Sequence, residues 1–213
     1  MKVSIIGTGR MGTELAKVLG EIIPDLQWGS RSLDRVMKLI HEMDGLSARI
    51  RPVTYETALE GDVIFHTLWF RDLIPWVEEH KAQLKGKILV DIVNPFTSDF
   101  NDFTLDWGTS AAEELQQLLP DTKVVGAFKN TFFKVLEQPV HQGLTSDVFV
   151  TSDHEDAKKV VMELIQGIPF RVLDGGDLKN NRTIERMTLF EREVALRYGS
   201  YPYVSFRLFG MNA

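Results

Sequence analysis

The sequence predicts an α/β fold: a doubly wound, mostly parallel sheet with a small C-terminal helical extension. Three observations carry this. Short apolar runs alternate with helical periodicities from residue 3 to about residue 173. A glycine-rich turn, Gly7-Thr8-Gly9-Arg10-Met11-Gly12, separates the first run from the first helical pattern. The last long helical pattern, residues 178–198, is followed by no further strand.

The first run, Val3–Ile6, reads as a strand. Gly7 permits the tight turn out of it. Gly9 has no Cβ, so a pyrophosphate can come close to the backbone, and Gly12 lets the helix pack tightly. That helix, expected over residues 11–21 with Leu15, Val18 and Leu19 buried, points free N–H groups and its positive dipole end at the phosphates. A second strand over residues 26–28 completes a βαβ unit. The unit predicts a Rossmann-type dinucleotide site with Gly7, Thr8, Gly9, Arg10, Met11 and Gly12 in its loop.

The rest follows in alternation. Ser32 is a plausible N-cap for a helix carrying Val36, Met37, Leu39 and Ile40. Residues 51–53 form a short strand and 55–59 a brief helix. Residues 62–68 (DVIFHTL) are a buried strand. The helix over 73–84 tolerates Pro75 only near its first turn. The strand over 87–93 stops at Asn94-Pro95. Residues 96–109 are polar, aromatic and irregular, and read as an active-site loop. Then come a helix (110–119), strands (123–128 and 147–151), a helix over 155–166 capped by Ser152, and a strand (170–173). The expected domains are residues 1–173, binding the dinucleotide, and 174–213, a helical extension packed on it.

Composition narrows the function classes. Of 213 residues, 44% are hydrophobic and 25% charged, ordinary for a globular protein. A net charge of −6 argues against a nucleic-acid surface. With no cysteine there are no disulfides, thiol nucleophiles or cysteine metal sites. The five histidines show no metal-ligand spacing, so no metal is expected. No apolar run is long enough to span a membrane, and no signal segment precedes the first strand. A cytoplasmic protein is the expectation.

Which dinucleotide binds is read at the end of the second strand, where NAD enzymes usually place an acid. Here the chain runs Trp28-Gly29-Ser30-Arg31, with no carboxylate. A hydroxyl and a guanidinium suit a 2′-phosphate, which predicts NADP(H) over NAD(H). Ser30 and Arg31 are the expected contacts, with Arg35 one helical turn on. Thr67, Leu68 and Trp69, and after the next strand Asn94 and Pro95, lie at strand carboxyl ends and face the cofactor by topology. Trp69 and Phe70 either cover a ring or pack in the core.

Other polar residues carry weaker signals. His66, inside a strand, reads as a core histidine rather than a catalytic one. Lys129 either neutralises an anionic substrate or forms a structural ion pair. His141, in a loop, either lines the substrate cavity or sits at the surface.

Several stretches together resemble NADPH-dependent reductases of the deazaflavin coenzyme F-420. They are IIGTGRMGTELA, WGSRS, LVDIVNPF, SAAEELQQLLPDTKVVGAF and the late VLDGGDLKNNRTIERM. The resemblance extends over nearly the whole chain. It implies NADP(H), hydride transfer to or from a deazaflavin or flavin-like ring, a small-molecule electron acceptor, and a homodimer. Such transfer needs little acid–base help, so the absence of a catalytic triad is compatible with an enzyme. The chain departs from the family at Ala127-Phe128-Lys129-Asn130-Thr131, where Ala-Phe-Asn-Thr is common, and in the 96–109 loop. Reduction of a quinone, an imine or a metal chelate, and NADP(H) sensing without catalysis, are the alternatives. Imine reductases of this fold usually carry a larger helical domain after residue 170, which the short tail here does not match.

Overall fold

The structure is a computed structural model that describes residues 1–43 and 45–211. A six-stranded parallel sheet forms its centre. The strands are β1 (Val3–Ile6), β2 (Leu26–Ser30), β3 (Ile50–Thr54), β4 (Val63–His66), β5 (Ile88–Asp91) and β6 (Lys123–Gly126), in the order β3-β2-β1-β4-β5-β6. The order reverses beside β1, which pairs with β2 on one side and β4 on the other. A crevice opens at such a point outside the strand carboxyl ends. The register aligns those ends: Ile6 lies beside Gly29 and His66, and His66 beside Asp91.

Both faces of the sheet are buried, as parallel strands require. Ile5, Phe65, Val90 and Val125 pack with Leu15, Leu19, Val36 and Val161 from α1 (Arg10–Ile22), α2 (Leu33–His41) and α7 (Glu155–Ile165). Ile6, Ile64, Leu89 and Val124 pack with Ala58, Leu73, Val77 and Leu115 from α3 (Tyr55–Ala58), α4 (Phe70–Leu84) and α5 (Ala111–Leu118). Period-2 alternation along each strand thus feeds two cores, the signature of a doubly wound fold.

Beyond β6 come α6 (Phe133–Glu137) and a small hairpin of β7 (Val140–His141) and β8 (Leu144–Thr145). Neither follows from periodicity, because each is too short to show one. Next, β9 (Asp147–Val150) and β10 (Arg171–Asp174) pair in parallel, and one antiparallel bridge, Gly126 to Thr151, ties them to the large sheet. A 3₁₀ turn (Leu178–Asn180) leads into α8 (Asn181–Arg197). The α8 helix is anchored by the bond from Asn181 Nδ2 to Thr151 Oγ1 (2.7 Å) and by Arg182 against Glu113 (2.6 Å). No helix among the described residues is long and apolar enough to cross a membrane.

Two local expectations change. The α4 helix starts at Phe70, so Pro75 lies inside it rather than near its first turn. Pro75 is exposed, and so is Arg71, whose carbonyl it leaves without a helical partner, so the break falls on the outer face of the helix. Ser152 does not itself cap α7. His154 holds the N-cap position, and the Ser152 hydroxyl accepts from the His154 N–H (3.1 Å) while donating to Val124 O (2.7 Å).

Candidate active site

The glycine turn has the geometry its sequence implies. Gly7 has φ +110°, and a Cβ there would lie 2.3 Å from Thr67 Oγ1. A Cβ on Gly12 would lie 2.4 Å from Gly7 O. Both positions therefore exclude any side chain. Thr67 Oγ1 donates to Ile6 O (3.0 Å), pinning β4 to the turn. The indole of buried Trp28 donates to Gly7 O (2.8 Å), a support from β2 that the motif does not reveal. A Cβ on Gly9 would instead meet nothing within 4 Å. With Gly9 at the N-cap, α1 has no side-chain cap and no acid in its first turn. Free N–H groups thus face an open space beside a backbone without a side chain, which fits a pyrophosphate.

At the end of β2 the serines build a compact turn. Ser30 Oγ donates to Ser32 O (2.8 Å) and accepts from Ser32 N (3.1 Å), and Ser32 Oγ caps α2 through Arg35 N (3.3 Å). Arg35 reaches back to donate to Thr8 O (3.2 Å), joining this turn to the glycine loop. Arg31 is exposed and near enough to Tyr55 for its charge to oppose the upward push of burial on that phenol. Neither Arg31 nor Arg35 has a carboxylate partner among the described residues.

The glycine loop continues into a cavity of about 910 Å³, counting its open mouth. Gly9, Arg10 and Met11 line one side, Thr67, Leu68 and Trp69 follow β4, and Ile92, Val93 and Asn94 follow β5. Phe96 and Phe100 come from the aromatic loop, and Thr131, Phe132 and Phe133 from the segment after β6. Thr188, Arg192 and Tyr201 close the cavity from the C-terminal part. Among the described residues, no aspartate or glutamate lines it. Trp69 is 47% exposed at the mouth and meets Phe100 edge-on at 5.8 Å, so it is a wall rather than core. Phe70, beside it, packs against the core.

The 96–109 loop is ordered by its own bonds. Thr104 N donates to Pro95 O (2.7 Å), Thr97 N to Asp102 O (2.8 Å), and the Phe96 and Phe103 rings meet edge-on at 5.0 Å. Arg186 of α8 lies over the Trp107 ring at 4.1 Å and donates to Leu105 O (2.8 Å). The loop presents Phe96 and Phe100 to the cavity, as an active-site loop would.

Lys129 is placed as an ion pair. Phe128 adopts φ 56°, and this left-handed residue swings Lys129 into the interior. There Lys129 Nζ lies 2.6 Å from Asp91 Oδ2 and 2.8 Å from Glu185 Oε1, and donates to Val93 O (2.6 Å). His66 Nε2 sits 3.0 Å from Asp91 Oδ1, and all four side chains are buried. Burial alone would raise Asp91, but the Lys129 charge and the neighbouring His66 outweigh it and hold the carboxyl at about 2. Burial lowers Lys129, yet the two acids raise it overall. Burial, helped by Asp91, pushes Glu185 up. Asp91 and Lys129 thus form the charged pair at the centre of the cluster, with Glu185 as a second acid beside the ammonium.

The cluster shapes the cavity from behind. The Lys129 carbonyl accepts from Asn94 Nδ2 (2.7 Å) and Thr188 Oγ1 (2.5 Å), two residues of the lining. Asn130 turns away, donating to Asp147 O (2.8 Å), so Thr131 is the residue of that segment that reaches the cavity. Lys129 itself does not line the cavity, nor does Pro95, which is buried, nor His141, which lies in the β7–β8 hairpin. Ser30, Arg31 and Arg35 stand by the glycine loop outside the cavity lining.

A second buried acid has no such partner. Both carboxyl oxygens of Glu191 on α8 lack hydrogen bonds, and burial pushes the group up to about 9. A raised folded value means its favourable protonated form is kept below the ordinary carboxylate range and lost as pH rises toward 9. Glu191→Gln is therefore expected to leave stability nearly unchanged at pH 4 and to raise it by about 2 kcal/mol at pH 8, read from urea midpoints. An equal gain at both pH values would contradict a protonated Glu191.

Known proteins match this architecture and sequence. Residues 2–95 match the family model for NADP oxidoreductase, coenzyme F-420-dependent. The chain is 33% identical over 215 aligned residues to the F-420-dependent NADP reductase of Methanocaldococcus jannaschii, covering 94% of this chain and 95% of that one. The enzyme of the same name from Methanothermobacter marburgensis is 30% identical over 88% of this chain and 89% of its own length. A crystal structure of a putative F-420-dependent NADP reductase from Arthrobacter sp. FB24 superposes with a TM-score of 0.81 at 21% identity, over 94% of this chain and 96% of that one. The chain belongs to the coenzyme F-420-dependent NADP oxidoreductase family, and it is an NADP-dependent oxidoreductase.

Proposed function

We propose that the chain transfers a hydride between NADPH and coenzyme F-420 or a closely similar deazaflavin. The observation that carries this reading is one aromatic, carboxylate-free cavity continuous with a glycine loop shaped for a pyrophosphate. NADPH supplies the hydride, and the acceptor ring takes it together with one proton from solvent. The residues of this chain do the rest. Gly7, Gly9 and Gly12 give the phosphates a backbone surface, and the N–H groups of α1 stabilise their charge. Thr67, Leu68, Asn94 and Thr131 line the ring site. Phe96, Phe100, Phe132 and Tyr201 offer faces for stacking and keep water out. Lys129, Asp91 and Glu185 hold Asn94 and Thr188 in place. No side chain is needed to move a proton. The test is NADPH oxidation measured against a panel of deazaflavin, FMN, FAD and quinones. Turnover with the deazaflavin at least about ten times faster than with the others is expected, and preference for a quinone or FMN would overturn the reading.

We infer that Ser30, Arg31 and Arg35 select NADPH by binding its 2′-phosphate. Arg31→Ala is expected to raise the KM for NADPH by about 10- to 100-fold and to leave the weak activity with NADH unchanged. An unchanged preference would remove Arg31 from the site. We also infer a boundary near residue 173, the C-terminal part acting as a wall of the cavity. A homodimer in the cytoplasm fits the outer face of α8 and the tail, where Phe190, Tyr198 and Phe209 are exposed. Phe190→Asp is expected to shift the protein toward monomer in sedimentation.

A further inference from the structure

Beyond α8 the chain turns at Gly199 (φ +67°) and touches the rest of the molecule at two places. Tyr201 enters the cavity wall, its ring edge-on to that of Phe132 at 5.3 Å. Residues 205–208 then lie against β8 and β9. Phe206 O accepts from Asp147 N (2.9 Å), the Ser205 and Ser146 hydroxyls meet at 2.7 Å, and Arg207 donates to Thr145 O. Leu208 N donates to Asp147 Oδ2 (2.7 Å), and Leu208 O accepts from Arg171.

This tail is held lightly. Every described residue from 199 to 211 is exposed or half-buried, so little apolar surface binds it to the molecule. Its fastening is also built without it. Asp147 is buried, and its carboxylate takes two bonds from Arg171, one from Nε to Oδ1 (2.7 Å) and one from an amino nitrogen to Oδ2 (2.8 Å). Asp147 and Arg171 stand opposite each other where β9 pairs with β10. Release of the tail would leave that pair intact, with no buried charge orphaned.

We propose that residues 200–208 are a strap that swings on Gly199 and is fastened by the Asp147–Arg171 pair, opening to exchange the occupants of the cavity and shutting for the reaction. The inference rests on the hydride-transfer reading above and adds a gating step to it. The shut strap keeps Tyr201 in the wall and water out, and the open strap removes that wall. Because the clasp is preformed, only the strap's few bonds and the half-buried Val204 separate the two states.

The test locks the strap. The chain has no cysteine, and the side-chain oxygens of Ser146 and Ser205 are close enough for a disulfide to take their place. In Ser146→Cys/Ser205→Cys, oxidation is expected to lower kcat for NADPH with a deazaflavin by about 10-fold or more, and a reductant to restore the wild-type value. Leu208→Pro removes the N–H that reaches Asp147 and alters no buried residue. It should raise the KM values by about 3- to 10-fold and leave the melting temperature within about 2 °C of wild type. Hydrogen exchange gives a reading independent of turnover: the wild-type Leu208 amide should exchange at least about 10-fold faster than those inside β9, and slow when NADPH and deazaflavin are bound. Undiminished turnover by the disulfide-bonded form would overturn the proposal. So would a loss that reduction does not restore, wild-type kinetics in Leu208→Pro, or exchange at Leu208 as slow as in β9. Exchange slowed by the bound ligands with no oxidation of NADPH would leave the strap standing and refute the hydride-transfer reading instead.

Discussion

Lys129→Met is expected to destabilise the protein by about 3–5 kcal/mol, because it leaves buried carboxyls without their cation. Asp91 is fully buried and ionised against Lys129, and its Oδ2 sits 2.6 Å from the ammonium. Without Lys129, Asp91 must either stay charged in the interior or take up a proton. Glu185, already pushed toward its protonated form by burial, adapts more readily. Adding Glu185→Gln to Lys129→Met should therefore recover little, whereas adding Asp91→Asn should recover more. Urea unfolding of the three variants decides this, and a single Lys129→Met variant of wild-type stability would refute the cluster. The acid limb offers a second check. A depressed folded value gives Asp91 stability that is present above its ordinary range and lost as pH falls toward about 2. Wild-type stability should fall across that window, and with less slope in a variant carrying Asp91→Asn.

Gly9→Ala should separate binding from folding. Its new methyl would meet nothing within 4 Å, so the melting temperature should stay within about 2 °C of wild type. The methyl would nevertheless stand where a pyrophosphate needs bare backbone, raising the KM for NADPH by about 10- to 100-fold. Gly12→Ala makes the control: its Cβ would lie 2.4 Å from Gly7 O, so stability and binding should fall together. Differential scanning fluorimetry with and without NADPH reads both. Normal NADPH binding by folded Gly9→Ala would mean that the phosphates lie elsewhere.

Much of this was legible because single residues fix it. Gly7 and Gly12 admit no side chain, so a turn and a helix start are written into them. The near-continuous apolar runs of Val3–Ile6 and residues 62–68 show strands buried on both faces. The missing acid after Trp28 marks the cofactor preference. What stayed hidden depends on contacts between distant segments. Trp28 reads as a core aromatic, yet its indole N–H holds Gly7 O, a bond that only β1–β2 pairing creates. Lys129 looks the same in sequence whether it meets a ligand or two acids. Asp91 and Glu185, 38 and 56 residues away, decide it. Arg192 gave no signal, since one arginine on a polar helix is ordinary. Its place in the cavity wall appears only when Phe100 and Tyr201 flank it. Pro75 misled because α4 starts at Phe70, which packs against the core, with Trp69 at the cavity mouth as its N-cap, and not where the apolar period begins.

The central claim is that the two rings meet directly in this cavity and exchange a hydride without a proton relay. The most direct measurement follows a deuterium carried at the nicotinamide C4 of NADPH into the deazaflavin under anaerobic conditions, by NMR of the product. The expected result is label retained on the central ring carbon of the reduced deazaflavin, in amounts matching the NADPH consumed. Label lost to water, or NADPH oxidised without reduction of the deazaflavin, would contradict the account.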